Sequence, residues 1–160
     1  MGQQQLLLLV LGIVIVGLAV VVGIQAFSEN QAKANLDALV NDGVRIASDV
    51  QAWSLKPQAF GGPASGEDWS DATFADIGYS DADADNGACA GGQYGNLNGC
   101  FTLATSGTDA RITGQGLSGT TLNSNGVQID ISGTSPNDVS TLTSAAGTYT
   151  VGGGTSSTTN

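Results

Sequence analysis

Three groups of side chains in this 160-residue chain have the types and spacing to do chemistry. Asp81, Asp83 and Asp85 alternate ahead of Asn86-Gly87. Alternate carboxylates let one turn of backbone aim several hard oxygens at one cation, which is how a Ca²⁺-binding loop begins. The run departs from the EF-hand at its sixth position, Asn86 instead of Gly, and at its twelfth, Gly92 instead of Glu. A Ca²⁺ held there would need Asp76 or a carbonyl to complete its shell, and a solvated acidic loop is the competing reading. Glu67 and Asp68 are adjacent carboxylates, but they sit in Gly-Pro-rich sequence with no aromatic-lined cleft to hold a substrate. Cys89 and Cys100 flank Gly91, Gly92, Gly95 and Gly99. An exported chain with two cysteines most simply pairs them, closing a loop worth about 3 kcal/mol in chain entropy; two free thiols are the alternative.

Much other chemistry is excluded by what the chain lacks. With no His it can form neither a Ser-His-Asp nor a Cys-His site, and two cysteines alone cannot complete a zinc site. It carries no P-loop, no dinucleotide fingerprint and no Gly-x-Ser-x-Gly turn. A net charge of −10 with four Lys and Arg argues against nucleic acid as a partner, because that binding rests on cations neutralising phosphates. The expectation is a protein that is not an enzyme and has no cofactor beyond the candidate Ca²⁺.

The elements that must position these groups fall into two unlike parts. Residues 61–160 hold 19 of the 24 Gly and a single cation, Arg111, whereas the long aliphatic runs are confined to residues 1–60. From Leu6 to Ile24 there are 19 residues without a charge, all Leu, Ile, Val or Ala except Gly12, Gly17 and Gly23. A bilayer core needs roughly 20 apolar helical residues, so this segment is long enough to span one. A secretory signal peptide would need a basic start and a shorter apolar stretch, and Met1-Gly2-Gln3-Gln4-Gln5 supplies no positive charge. An ordinary single-pass anchor is usually oriented by Lys or Arg near one end, yet the first cation is Lys33.

The third reading is a processed chain whose apolar rod packs against copies of itself. The stretch MGQQQLLLLVLGIVIVGLAVVVGIQAF resembles the N-terminal segment of the type IV pilin family in length, uncharged character and small-residue interruptions. The resemblance covers roughly the first 55 residues and widens toward archaeal-type and divergent pilins, because Gln5 stands where most bacterial pilins have Glu. Gln keeps hydrogen-bonding groups but not the charge, so an ion pair with a neighbour's terminal amine cannot form. The resemblance implies a leader cut before Met1 by a leader peptidase and a new N-terminus that is commonly methylated. It further implies residence in the cytoplasmic membrane before assembly, and assembly machinery that extracts the subunit. Met1, Gln5, Gly12, Val16, Gly17, Gly23 and Phe27 are then the expected assembly residues, the small ones letting helix backbones approach closely.

Beyond Phe27 the pattern turns amphipathic. Leu36, Leu39, Val40, Ala47 and Val50 share one helix face, while Asp37, Asn41, Asp42, Arg45 and Asp49 lie largely off it. Gly43 inside this pattern costs about 1 kcal/mol relative to Ala, which suggests close packing or a bend. Pro57 ends the run, and a helix from about Gln3 to Leu55 is expected. The organisation read from this is 1–27 apolar polymerisation helix, 28–56 amphipathic backing helix and 57–160 head.

In the head, residues 57–100 read as loop with Trp69, Phe74, Ile77 and Tyr79 as apolar anchors. Short alternating runs follow at Phe101–Thr105, Ala110–Thr113, Thr121-Leu122, Val127–Ile131, Thr141–Thr143 and Thr148–Val151. Ser106-Gly107 and Asn125-Gly126 read as the turns between them, the latter as a tight hairpin. The expected fold is α+β: a long N-terminal helix, apolar then amphipathic, packed against an antiparallel sheet of four to six strands with one wet face.

The functional expectation is the major structural subunit of a type IV pilus-like helical filament on the cell surface, its partners identical subunits. The competing readings are a pseudopilin or minor pilin of a secretion system, and a membrane-anchored surface module that binds Ca²⁺. Adhesion is one of several roles such a filament could serve, and composition does not separate them.

Overall fold

Between Gln3 and Lys56 no proline interrupts the chain, and Leu, Val, Ala, Ile and Gln dominate, so nothing stops a helix once it has nucleated. In the computed structural model, which describes residues 2–65, 68–80 and 88–144, one continuous helix α1 spans Gly2–Ser54. It ends where Pro57 makes helix unfavourable at the preceding residue, and a 3-10 turn follows at Gln58–Phe60. Five strands come next: β1 Tyr94–Gly95, β2 Gly99–Thr105, β3 Ala110–Ser118, β4 Thr121–Ile131 and β5 Val139–Ser144. They form one antiparallel meander in the order β1-β2-β3-β4-β5. The fold is α+β, as the sequence predicts.

The chain divides into two compact units, residues 1–34 and 35–160. In the first, every described residue is exposed. The second has a core built on the period-2 alternation of the strands. Phe101, Leu103, Ala110, Ile112, Val127, Ile129 and Ile131 line one face of the sheet, and Leu39, Ile46, Ala47 and Val50 of α1 pack against it. Leu39, Ala47 and Val50 come from the expected apolar stripe, Leu36 and Val40 are only half-buried, and Ile46 and Trp53 join the buried set. Gly43 is a close-packing glycine: a Cβ there would come within 2.6 Å of Ile129 Cδ1. On β3, Gly114 leaves the space that the Phe101 ring occupies, since an added Cβ would meet Phe101 Cε1 at 2.7 Å and Val127 Cγ1 at 2.8 Å.

The connection after α1 is held by its scattered aromatics. Trp69 and Phe74 are buried, and Ile77 and Tyr79 pack half-buried against the core, as anchors of an otherwise irregular segment. The Trp53 indole N–H donates to Gly61 O at 2.8 Å, which fixes the chain just past the helix end. The segment read as loop to residue 100 already contains β1 and the start of β2.

One turn is corrected. Asn125-Gly126 is not a hairpin tip but lies inside β4, where Gly126 is paired with Gln115 on one side and Ser144 on the other. The hairpin closes instead at Gly119-Thr120, between Ser118 and Thr121, with Gly119 at φ +66°. A left-handed residue at that position satisfies the twist of a two-residue loop, and Gly takes it without steric cost. Thr121-Leu122 and Val127–Ile131 therefore belong to one 11-residue strand. The β3–β4 pairing absorbs a register shift between Gln115 and Leu117. The run Thr148–Val151 lies outside the described residues.

Candidate functional site

The acidic run Asp81, Asp83, Asp85 lies outside the described residues, as do Met1 and Glu67. Among the described residues, no three His, Cys, Asp or Glu side chains group as metal ligands. The two carboxylates nearest to those proposals are engaged locally. Asp76 accepts from the Thr73 backbone N–H at 3.0 Å and from the Thr73 hydroxyl at 2.5 Å. Asp68 accepts from the Ser70 hydroxyl at 2.5 Å and the Ser70 N–H at 3.1 Å, and these bonds hold its pKa below the usual carboxylate value.

Cys89 and Cys100 are joined by a disulfide with a Cα–Cα distance of 5.5 Å. Cys100 is in β2 and paired with Gln115, so the cross-link ties the glycine-rich approach to the second strand of the sheet. That approach is also pinned by polar contacts. The Ala90 N–H donates to Gln93 Oε1 at 2.8 Å, and Gln93 Nε2 donates to Thr102 Oγ1 at 2.9 Å. Beside it Phe74, Tyr79, Tyr94 and Phe101 form an aromatic cluster, with the Tyr79 and Tyr94 ring centroids 4.7 Å apart in an edge contact. The Tyr79 hydroxyl donates to Asp49 Oδ2 of α1 at 2.6 Å.

A cluster of amides, not anticipated from the sequence, joins α1 to the end of the sheet. Asn96 Oδ1 accepts from the backbone N–H groups of Asn98 and Gly99, at 2.9 and 3.0 Å, which leaves its Nδ2 to donate to Asp42 Oδ2 at 2.8 Å. Asn98 Nδ2 donates to the same oxygen at 2.7 Å. Asn35 Nδ2 donates to Asn98 O, while Asn35 Oδ1 accepts from Asn123 and Asn125. Gly116 makes room for this arrangement, because a Cβ there would strike the Asn35 and Asn123 side chains. The sequence does carry a signal for it, the repeated Asn-x-Asn at 96–98 and 123–125.

Of the expected assembly residues, Gln5, Gly12, Val16, Gly17, Gly23 and Phe27 lie on the exposed helix of the first unit. Val16 is 63% and Phe27 66% exposed, and a Cβ added at Gly12, Gly17 or Gly23 would meet nothing within 4 Å. This helix is long and apolar enough, by length and composition, to cross a membrane. At the other end of α1 lies a surface groove of about 390 Å³ lined by Leu55, Lys56, Pro57, Pro63, Ala64 and Thr134 among others. It is open, and its polar lining is Ser54, Lys56, Gln58 and Thr134, with neither a carboxylate nor a cysteine among them. No protein family, curated protein or solved structure matches the chain.

Proposed function

We propose that this chain is the repeating subunit of a type IV pilus-like extracellular filament, held in the membrane by its apolar helix before assembly. The supporting observation is the contrast between burial and composition in residues 2–34. Leu6–Ile24 carries no charge, yet none of it is buried within the chain. Leaving on the order of 1,000 Å² of such surface in water costs about 25 kcal/mol as an upper bound, so the helix requires an apolar partner outside the chain. Lipid satisfies it in the membrane and identical helices satisfy it in a bundle, which gives one element both a resting and an assembled state. Gly12, Gly17 and Gly23 have open space around them for close helix approach.

A membrane-anchored surface module is the second reading, supported by the same spanning length. Electron microscopy of sheared cell-surface material separates the two: the polymer reading expects filaments containing this chain, and the anchor reading expects none. A chain beginning at Ser28 should sediment as a soluble monomer and leave no filaments on the cell surface. Filaments built from that shortened chain would show that the apolar helix is not the polymerisation element.

A further inference from the structure

Where β1 turns into β2 the chain carries a chemically fragile dipeptide, Asn98-Gly99. Asparagine is thermally labile, and a Gly after it neither shields its own nitrogen nor restrains the backbone. In the reaction open to such a pair, the Gly99 nitrogen attacks Asn98 Cγ and the Cγ–Nδ2 bond breaks, leaving a cyclic imide. The departing amide takes the Gly99 proton and leaves as ammonia. Water then opens the ring at either carbonyl and gives aspartate or isoaspartate at position 98. Packing forces this dipeptide on the chain. A Cβ at residue 99 would strike Gln115 O and Leu39 Cδ2, so only Gly fits there. Asn98 in turn supplies the Nδ2 that donates to Asp42 Oδ2 of α1 at 2.7 Å.

The surrounding contacts restrain each group that must move. Attack requires the Gly99 N–H to give up its proton, and that N–H is held by Asn96 Oδ1 at 3.0 Å. Attack also requires the Asn98 side chain to turn about its main chain, and the bond to Asp42 ties its amide to the helix. The peptide that joins the two residues is fixed as well. Asn98 O accepts from Asn35 Nδ2 and from the Leu117 N–H, each at 2.9 Å. Among these bonds the one to Asp42 has a carboxylate as acceptor, which makes it the strongest.

We infer that Asn98 is a latent deamidation site and that Asp42 is the residue that keeps it intact in the folded subunit. Amide loss sets a second carboxylate against Asp42 where the Nδ2 donor had been, and like charges that close repel. The contact that binds α1 to this turn through Asn98 Nδ2 is then lost, while Asn96 Nδ2 still donates to Asp42. The chemistry does not depend on whether the chain polymerises. Asn125-Gly126, the other Asn-Gly pair among the described residues, is an internal control. Asn125 is 4% exposed and Gly126 is paired on both sides, so the sheet itself holds this pair.

The full-length protein is incubated in detergent at mildly alkaline pH, and amide-to-acid conversion is read at each site by peptide mass spectrometry. The folded chain should convert Asn98 far more slowly than the same chain reduced and unfolded in guanidinium. Asp42→Ala should speed conversion at Asn98 about tenfold, the effect of losing a hydrogen bond to a charged acceptor, and leave Asn125 unchanged. A folded rate equal to the unfolded one, an unaltered rate at Asn98 in Asp42→Ala, or a rise that Asn125 shares overturns the inference. A second measurement uses the product itself. Asn98→Asp should lower the Tm, and adding Asp42→Asn to the same chain should recover it by exchanging donor and acceptor across the contact. A Tm that does not fall, or that the second substitution does not recover, removes Asp42 as the partner of this amide and overturns the inference equally.

Discussion

Residues 2–34 and the sheet-bearing unit from Asn35 onward are both rich in aliphatic side chains, but those side chains meet opposite fates. In the second unit Leu39, Ile46, Val50, Phe101, Ile112, Val127 and Ile129 are at most 1% exposed, and each reaches its partners through strand alternation or helix spacing. In the first, Leu6, Ile13, Val16, Leu18 and Ile24 are each more than 60% exposed on a helix with no polar face. Hydrophobicity that alternates with polar residues builds a core within the chain; hydrophobicity that encircles a helix requires a partner outside it. The same driving force therefore folds one region and would join the other to lipid or to its copies.

The sharpest way to break this comparison is to put a charge in the first unit. Val16→Asp should abolish filament formation, because a carboxylate buried in a bundle without a partner costs several kcal/mol and recurs in every subunit. The thermal unfolding of the second unit should not change, since Val16 contributes nothing to its core. Normal assembly of this variant would mean that the exposed helix is not buried among its neighbours.

A second change tests the other side. Replacing Cys89 and Cys100 together by Ser should lower the stability of the sheet-bearing unit by about 3 kcal/mol, a drop in Tm of roughly 10–20 °C. The cross-link closes a loop otherwise held by single hydrogen bonds such as Gln93 to Thr102. Membrane insertion of the apolar helix should be untouched. A Tm within a degree or two of the native protein's would show that the aromatic cluster and Gln93 already hold this loop.

Legibility in the sequence follows the same division. The helix was readable nearly to the residue because its start lacks any breaker and its end is marked by Pro57, and the strands because Val127-Gln-Ile-Asp-Ile131 and its neighbours alternate cleanly. Gly43 suggested close packing or a bend, and the fold decides for packing by supplying the atom it makes room for, Ile129 Cδ1. The Asn125-Gly126 dipeptide misled because its turn preference is local, whereas Asn125 is buried at 4% exposure beside Asn35 and Gly126 is paired on both sides. Tertiary bonding overrode the local signal. Of the amide cluster the sequence shows only the repeated Asn-x-Asn at 96–98 and 123–125, and not that these asparagines meet Asn35 and Asp42 across long stretches of chain. Polar residues carry no periodic pattern that reveals such a meeting.

The smallest effect lies where the helix meets the aromatic cluster, at Tyr79. Its pKa is pushed up to about 12, first by burial, then by the hydrogen bond to the Asp49 carboxylate and by that charge; Arg45 opposes the shift and Tyr94 adds to it. An unfolded Tyr ionises near 10, so the folded state holds this proton more tightly than the unfolded one. The stabilisation is complete below about pH 10 and is lost as pH rises toward about 12. Tyr79 is only half-buried, so solvent screening leaves about 1 kcal/mol of it. Tyr79→Phe should lower stability by about that amount at neutral pH, since the hydroxyl bond to Asp49 is lost and the ring contacts with Phe74 and Tyr94 remain. It should also flatten the decline in denaturant midpoint between pH 10 and pH 12. An unaltered alkaline slope in the Phe variant would place that titration elsewhere in the molecule and reduce Tyr79 to a packing residue.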